Sequence, residues 1–478
     1  MGLWEMPDLE KIYQYIEDHK SEHIAKVQEY LRQPSISTEN KGIRECADLL
    51  MEYYRKLGCR EVELVETEGH PCIWAHYDVG APKTLINYCM YDVQPVAGEV
   101  WTFPPFEATL VEKPPFKKVV IARGAFNSKG GYRMWLNALE SIIAVEGKLP
   151  VNIMFTAEGE EELGSPHLEQ FIRQYQNRLR QADAVLNTGP SQQIDGSIRM
   201  AMGAKGIFEF ELECSGSLWG RGPREFDVHS SMKAAADSPI WRFIHALASL
   251  TSEDGNTVQI EGFYDNVLPP SEEDLELIDQ LEKTFNPEVW QRMFKIDRWI
   301  DDLQGRDLLI RFLYSPTLNI QGIYGGHIGA GSKTVLPHKV ACTADIRLVP
   351  KMTVNEVMTK LRTHLDRRGY KDILIKPLAG YPPAKVSHKT AIAQAVIQTY
   401  RKNGIEPQIW PISGGSWPMY LYCGDPINLP YCSGGLGHGG NAHSPDEYLV
   451  IEGDGKVAGI VEAEKSYVDI LYNYAGIS

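Results

Sequence analysis

Apolar and polar positions follow two rhythms along this chain, and the change of rhythm outlines its organisation. Over residues 8–32, Leu9, Ile12, Tyr13 and Ile16, then Ile24, Val27 and Leu31, recur at helical spacing. Gln33-Pro34 closes that run, because a proline does not continue a helix. A second helix is predicted over 43–57, ending at Gly58. Short apolar strands follow at 62–65, 72–76 and 84–91. Helices at 129–145 and 166–179 then alternate with buried strands at 151–156 and 184–186. Strands alternating with helices predict an α/β sheet with helices on its faces.

The rhythm changes near residue 206. Residues 207–214 alternate like a half-solvated strand, followed by a helix at 238–250. A strand at 340–348, a helix at 354–365 and a strand at 373–375 come later. A strand-helix-strand-strand-helix-strand order is the split βαβ arrangement. Between its halves lies an acidic, aromatic stretch, 252–316, with helical segments of its own. Gly380-Tyr381-Pro382-Pro383 reads as a hinge out of this unit, and the alternation resumes from His388. The expected organisation is a first part of an α/β domain at 1–205, an inserted domain at 206–384, and the rest of the α/β domain at 385–478.

Composition narrows the class. Hydrophobic residues make up 43% and charged residues 23%, the balance of a soluble globular protein rather than a disordered chain. The net charge of −15 argues against a nucleic-acid backbone as partner, since phosphates call for clustered cations. Eight cysteines without a CxxC pair read as reduced thiols, not a disulfide framework. The opening residues lack an apolar signal region, and Met6 stands where myristoylation requires Ser or Thr. No apolar run reaches bilayer length. A cytoplasmic protein with neither nucleic acid nor membrane as partner is expected.

Four places carry candidate chemistry: NYCMYDVQP at 87–95, ARGAFNSKGG at 122–131, EGEEELGS at 158–165 and GLGHGGNAHSPDE at 435–447. Carboxylates and histidines at strand ends are where α/β sheets bind ligands. Together with RQPSIS, WTFPPFEATL, DVHS, KTVLP, ADIRLVP and GGSWP, these segments resemble zinc peptidase family M20 over nearly the whole chain. That family includes the carnosinase-type dipeptidases, succinyl-diaminopimelate desuccinylase and acetylornithine deacetylase. The resemblance implies an α/β catalytic domain of the aminopeptidase-like, zinc-peptidase fold. It also implies an inserted α+β, ferredoxin-like lid that dimerises, and two co-catalytic zinc ions. Such cations polarise an amide carbonyl and activate water, while a free Glu takes the proton.

Carried over residue by residue, the five metal-ligand positions hold an unexpected set. Met90 stands where the family's first His is expected, two residues before Asp92. Asn127 replaces the bridging Asp, and Gly189, or as second choice Thr188, replaces the next one. Glu162 and His443 are kept, with Glu161 as the matching general base. Thioethers suit soft metals, and two ligands are fewer than the three usual for catalytic zinc. No cofactor is therefore expected, or at most one weakly held zinc on Glu162 and His443. His438 is a possible substitute ligand, weighed against a solvated loop histidine. Cys89 faces away from Met90 and Asp92 and reads as a core thiol.

The resemblance also implies substrate contacts. Arg347 would anchor a substrate carboxylate, a task suited to a planar bidentate cation. Thr334, Gly415 and Ser416 would lie beside it, with Asn127 as a further contact. His229 would bind the scissile carbonyl oxygen of the partner subunit's site. Ile412-Ser413 departs from the family pattern and leaves the amine-side specificity open. The expected function is hydrolysis of an amide or related C–N bond of a small amino-acid-like substrate, without the zinc pair. Glu161, Asp92 and His229 would carry the chemistry. The alternatives are a non-catalytic binding homologue or partner subunit, and a conventional zinc dipeptidase with substituted ligands.

Overall fold

The computed structural model describes residues 8–476. Gly2 and Met6, on which the myristoylation reading rests, lie outside the described residues. Among the described residues no helix is long and apolar enough to cross a membrane.

The chain forms two compact units. One takes the residues up to Met202, Val386–Pro411 and those from Leu421 onward. The other takes Gly203–Lys385 and the short excursion Ile412–Tyr420. The sequence reading kept 385–478 in one piece. The excursion groups with the inserted unit because its backbone bonds there. Ser413 N donates to Gly203 O at 2.7 Å, and Lys205 N donates to Gly415 O at 3.0 Å.

The first unit is built on a six-stranded sheet. Its strands run in the order Glu61–Val65, Cys72–Tyr77, Asn152–Glu158, Thr84–Met90, Ala184–Thr188, Tyr431–Gly434. The last four are mutually parallel, so their C-terminal ends share one edge. Every residue of Asn152–Glu158 is buried, which requires cover on both faces and explains its continuous apolar reading. Helices Lys20–Arg32, Ile43–Leu57, Lys129–Glu146, Ala391–Lys402 and Ile460–Gly476 share one core with these strands. The predicted run over 8–32 is two helices, Leu9–Asp18 and Lys20–Arg32. His19 separates them: its ring stacks on Tyr15 at 3.8 Å and its Nδ1 bonds Tyr15 O, drawing the side chain into the helix end.

A second sheet of this unit is antiparallel, in the order Gly439–Gly440, Tyr448–Glu452, Phe116–Ile121, Thr109–Lys113. Ile121 pairs with Tyr448 in its register. The loops before Tyr448 and after Ile121 therefore start side by side.

The other unit holds a four-stranded antiparallel sheet in the order Thr317–Gly325, Lys339–Leu348, Gly206–Ser215, Leu374–Tyr381. With helices Pro239–Ala248 and Val354–Arg367, its chain order is the split βαβ arrangement expected of a ferredoxin-like domain. Phe208, Phe210, Leu212, Phe243, Ile346 and Leu361 form its core. The acidic stretch contributes helices Glu272–Glu282, Pro287–Phe294 and Gly305–Tyr314.

One side chain tests the first unit's layering. Trp135 is fully buried, and its Nε1 donates to Asn87 Oδ1 at 3.0 Å across the helix–sheet contact. Trp135→Ala should cost about 3–5 kcal/mol. A lowered urea midpoint of the first unfolding transition is the expected readout.

Candidate active site

The shared edge of the parallel strands collects the expected residues. Asp92 lies two residues past Thr84–Met90, is fully buried, and uses both carboxylate oxygens as acceptors. Glu161 N donates to one at 3.1 Å and Glu162 N to the other at 3.0 Å. These donors sit on the single turn Glu161–Leu163, just past Asn152–Glu158. Burial pushes the Asp92 carboxyl up to about 6, against the N–H donors that hold it down. Asp92 thus orients the Glu161–Glu162 pair through its backbone.

The antiparallel sheet supplies the opposite wall. Glu447, 1% exposed, sits between the loops that follow Ile121 and precede Tyr448. Its carboxylate accepts from the N–H groups of Gly124, Phe126 and Asn127 at 2.8–3.1 Å and from Arg123 Nη1 at 3.0 Å. Arg123, itself buried, also donates to Glu99 and lies over the Trp101 ring. A buried ion pair with this many donors fixes loop geometry.

Glu162 lies between the two walls. Gln94 Nε2 donates to its Oε2 at 2.7 Å, and Asn127 Nδ2 donates to its Oε1 at 2.7 Å. His443 Nε2 lies 3.2 Å from Oε2, and 2.9 Å from Asn127 Nδ2. Burial, reinforced by the charges of Glu161, Asp92 and Glu447, pushes the Glu162 carboxyl up to about 8 against the pull of Gln94. Burial and then the charge of Asp92 push Glu161 up to about 7. Among the described residues, no hydrogen-bond donor reaches the Glu161 carboxylate.

The other positions at which the resemblance leads one to expect metal ligands carry weak donors or none. Met90 is 8% exposed and apolar. Gly189 has no side chain, and a Cβ built there would meet no atom within 4 Å. The buried Thr188 hydroxyl beside it has no hydrogen-bond partner. Among the described residues no group of three or more His, Cys, Asp or Glu is placed to hold a metal ion. One carboxylate, one imidazole, an amide, a thioether and an empty position do not fit two zinc ions. His438 is neither a solvated loop histidine nor a free ligand. It is buried, with Nδ1 on Gln192 O at 2.8 Å and Nε2 on the Tyr448 hydroxyl at 3.2 Å, so both ring nitrogens serve the fold. Cys89 is a core thiol, pushed up to about 12 by burial.

The other unit carries the second group of expected residues. Arg347 lies on the central strand Lys339–Leu348 and donates from Nη1 to Ser416 Oγ at 2.9 Å. Gly415 and Ser416 belong to the excursion that joins this unit. His229 and Thr334 meet on a short antiparallel pair, with His229 Nε2 3.2 Å from Thr334 Oγ1. Both are exposed.

Sequence reasoning missed Gln94, Arg123 and Glu447. Each lies inside a segment already singled out. The signal was a polar or charged side chain, an amide, a guanidinium and a carboxylate, within motifs whose ligand set left it unused.

The model of "Peptidase family M20/M25/M40" matches residues 91–472. The chain is 27% identical over 404 residues to the rat Beta-Ala-His dipeptidase, covering 78% of each. It is 27% identical to the Cys-Gly metallodipeptidase of Schizosaccharomyces pombe, over 75% of this chain and 76% of that one. Among solved structures, an M20 family metallo-carboxypeptidase from Sulfolobus solfataricus superposes with a TM-score of 0.83 at 32% identity. That match covers 95% of this chain and 99% of the other. Human carnosine dipeptidase 1 superposes with a TM-score of 0.76 at 24% identity, covering 98% and 99%.

Removing the Asp92 acceptor should free the turn it holds. In Asp92→Ala, the Glu161 and Glu162 amides should exchange hydrogen at least about 10-fold faster, as expected when charge-assisted bonds are lost. Unchanged exchange by mass spectrometry would place the restraint elsewhere.

Proposed function

Because the chain belongs to peptidase family M20/M25/M40, we propose that it hydrolyses an amide or related C–N bond of a small amino-acid-like substrate, without the family's zinc pair. The observation that carries this reading is the contrast between two neighbouring carboxylates. Glu162 is tied to Gln94, Asn127 and His443, whereas Glu161 is half-buried with its carboxylate oxygens free among the described residues. A positioned, unpaired carboxylate is what a general base requires.

In this reading Glu161 takes the proton of the attacking water and returns it to the leaving amine. Asp92, being fully buried, acts as a positioning residue that sets the Glu161 turn. On the inserted unit Arg347 and Ser416 hold the substrate carboxylate with Gly415 beside them, and His229, next to Thr334, steadies the developing oxyanion in the partner subunit's site. Zinc, where the family carries it, polarises the carbonyl; here hydrogen-bond donors take that load. An intracellular compartment belongs to the same proposal, supported by eight free cysteines. A second reading, a binding homologue without turnover, draws its support from Met90, Asn127 and Gly189 at ligand positions.

Glu161→Gln should lower turnover of small N-acyl amino acids or dipeptides by ~10²–10⁴-fold. The wild type should keep its activity in a chelator, and dialysed protein should lack two zinc ions per chain. Turnover that dies in chelator and returns with zinc would overturn the metal-free reading. No turnover of any member of the panel would favour the binding homologue.

Assembly as a homodimer through the second unit is also proposed. Its edge strand Thr317–Gly325 exposes Ile323 and Tyr324, 57% and 41% exposed, beside unpaired backbone groups. Sedimentation should give twice the 53.8 kDa chain mass; a monomer at micromolar concentration would remove this part.

A further inference from the structure

Lys205 is a buried cation with an unusual set of partners. It is 4% exposed, on the chain between Gly203–Ala204 and Gly206–Ser215. Its Nζ donates to Phe312 O at 2.8 Å and Ser315 O at 2.7 Å. Those carbonyls end helix Gly305–Tyr314, where the helix dipole is negative and four carbonyls lack an intrahelical donor. Burial, and then the charges of Arg347 and Arg311, push its ammonium down to about 8. A lysine placed beside an arginine, and balanced by carbonyls rather than by a carboxylate, needs a reason.

The backbone of the same residue supplies one. Lys205 N donates to Gly415 O at 3.0 Å, and Ala204 bridges Ser413. Ser413 Oγ in turn accepts from Gly415 N at 3.1 Å. Lys205 therefore grips the loop that carries Ser416, the partner of Arg347, with its main chain, and the helix end with its side chain. The two grips are coupled through Phe312. Its ring lies so close to Gly414 that a Cβ there would come within 2.6 Å of the ring carbon Cζ. The loop is thus pressed between Lys205 and the helix end.

We propose that Lys205 is the positioning residue of the carboxylate-binding group. It clamps the Gly414–Gly415–Ser416 loop to the end of helix Gly305–Tyr314, and it holds a second positive charge beside Arg347 for an anionic ligand. The proposal rests on the reading of Arg347 as the carboxylate anchor. A bidentate carboxylate contact depends on the orientation of the guanidinium plane, and that plane is set by Ser416 on one side. On the other, Asp345 lies 3.4 Å from Arg347 Nε. Asp345 is itself fixed by Asn319 and Gln321, each donating at 3.1 Å. On the Ser416 side the loop is held by backbone bonds at Gly203 and Lys205, and Lys205 alone of these two carries a side chain that ties the loop to the helix end.

Calorimetric titration of the full-length protein with L-leucine and with L-leucinamide, which lacks the carboxylate, reads the preference as a ratio of dissociation constants. The wild type should favour L-leucine, and Arg347→Ala should bring the ratio near one. Lys205→Met should lower the ratio about 10-fold, whereas Lys205→Arg, which keeps charge and donors, should stay within about 3-fold of wild type. A Lys205→Met protein with an unchanged thermal midpoint and the wild-type ratio would overturn the positioning role and leave the Arg347 reading intact. A wild-type ratio of one would overturn both. Should Lys205→Met fail to fold, Lys205→Gln, which keeps a neutral donor, decides by the same ratio.

Discussion

A carboxylate withdrawn from water has to be met by donors, and in the catalytic unit two such groups set the loops that matter. Asp92 and Glu447 are both almost wholly buried, one past a parallel strand and the other before an antiparallel one. Each is met mainly by backbone N–H groups of a neighbouring loop. Asp92 sets the direction of Glu161 and Glu162; Glu447 sets that of Asn127. The side chains that would meet a substrate are therefore aimed by residues that have no need to touch it.

The second unit solves the same problem with the opposite charge. Its buried cation, Lys205, is met by helix carbonyls, and its electrostatic neighbour is a further cation, Arg347.

Much of the fold was legible in the sequence because the elements of the parallel sheet are buried on both faces and read as dense apolar runs. The strand Asn152–Glu158 is an example, whereas the helix Ile43–Leu57 was legible from its helical spacing of one buried apolar face. The strand Thr317–Gly325 escaped notice because it is an edge strand: most of its residues are exposed and Gly322 interrupts it, so it carries little apolar pattern. The break at His19 comes from a side chain bonding its own helix, which periodicity does not register. Within the site, motif resemblance located Glu161, Glu162, Asn127 and His443. Their mutual contacts depend on the antiparallel register of Ile121 with Tyr448, a pairing between segments more than three hundred residues apart. His438 was misjudged for the same reason, since its partner Gln192 is remote in sequence.

The glycines of this chain do not all answer to the same demand. Gly42 has a φ of +72° and a backbone oxygen 2.3 Å from where a Cβ would stand, so folding alone accounts for it. Gly189 has neither a left-handed φ nor a neighbour within 4 Å. Nothing in the chain's own conformation or packing forbids a side chain there. A side chain at this position would therefore reach into open space at the strand end, next along the chain to the unsatisfied Thr188 hydroxyl.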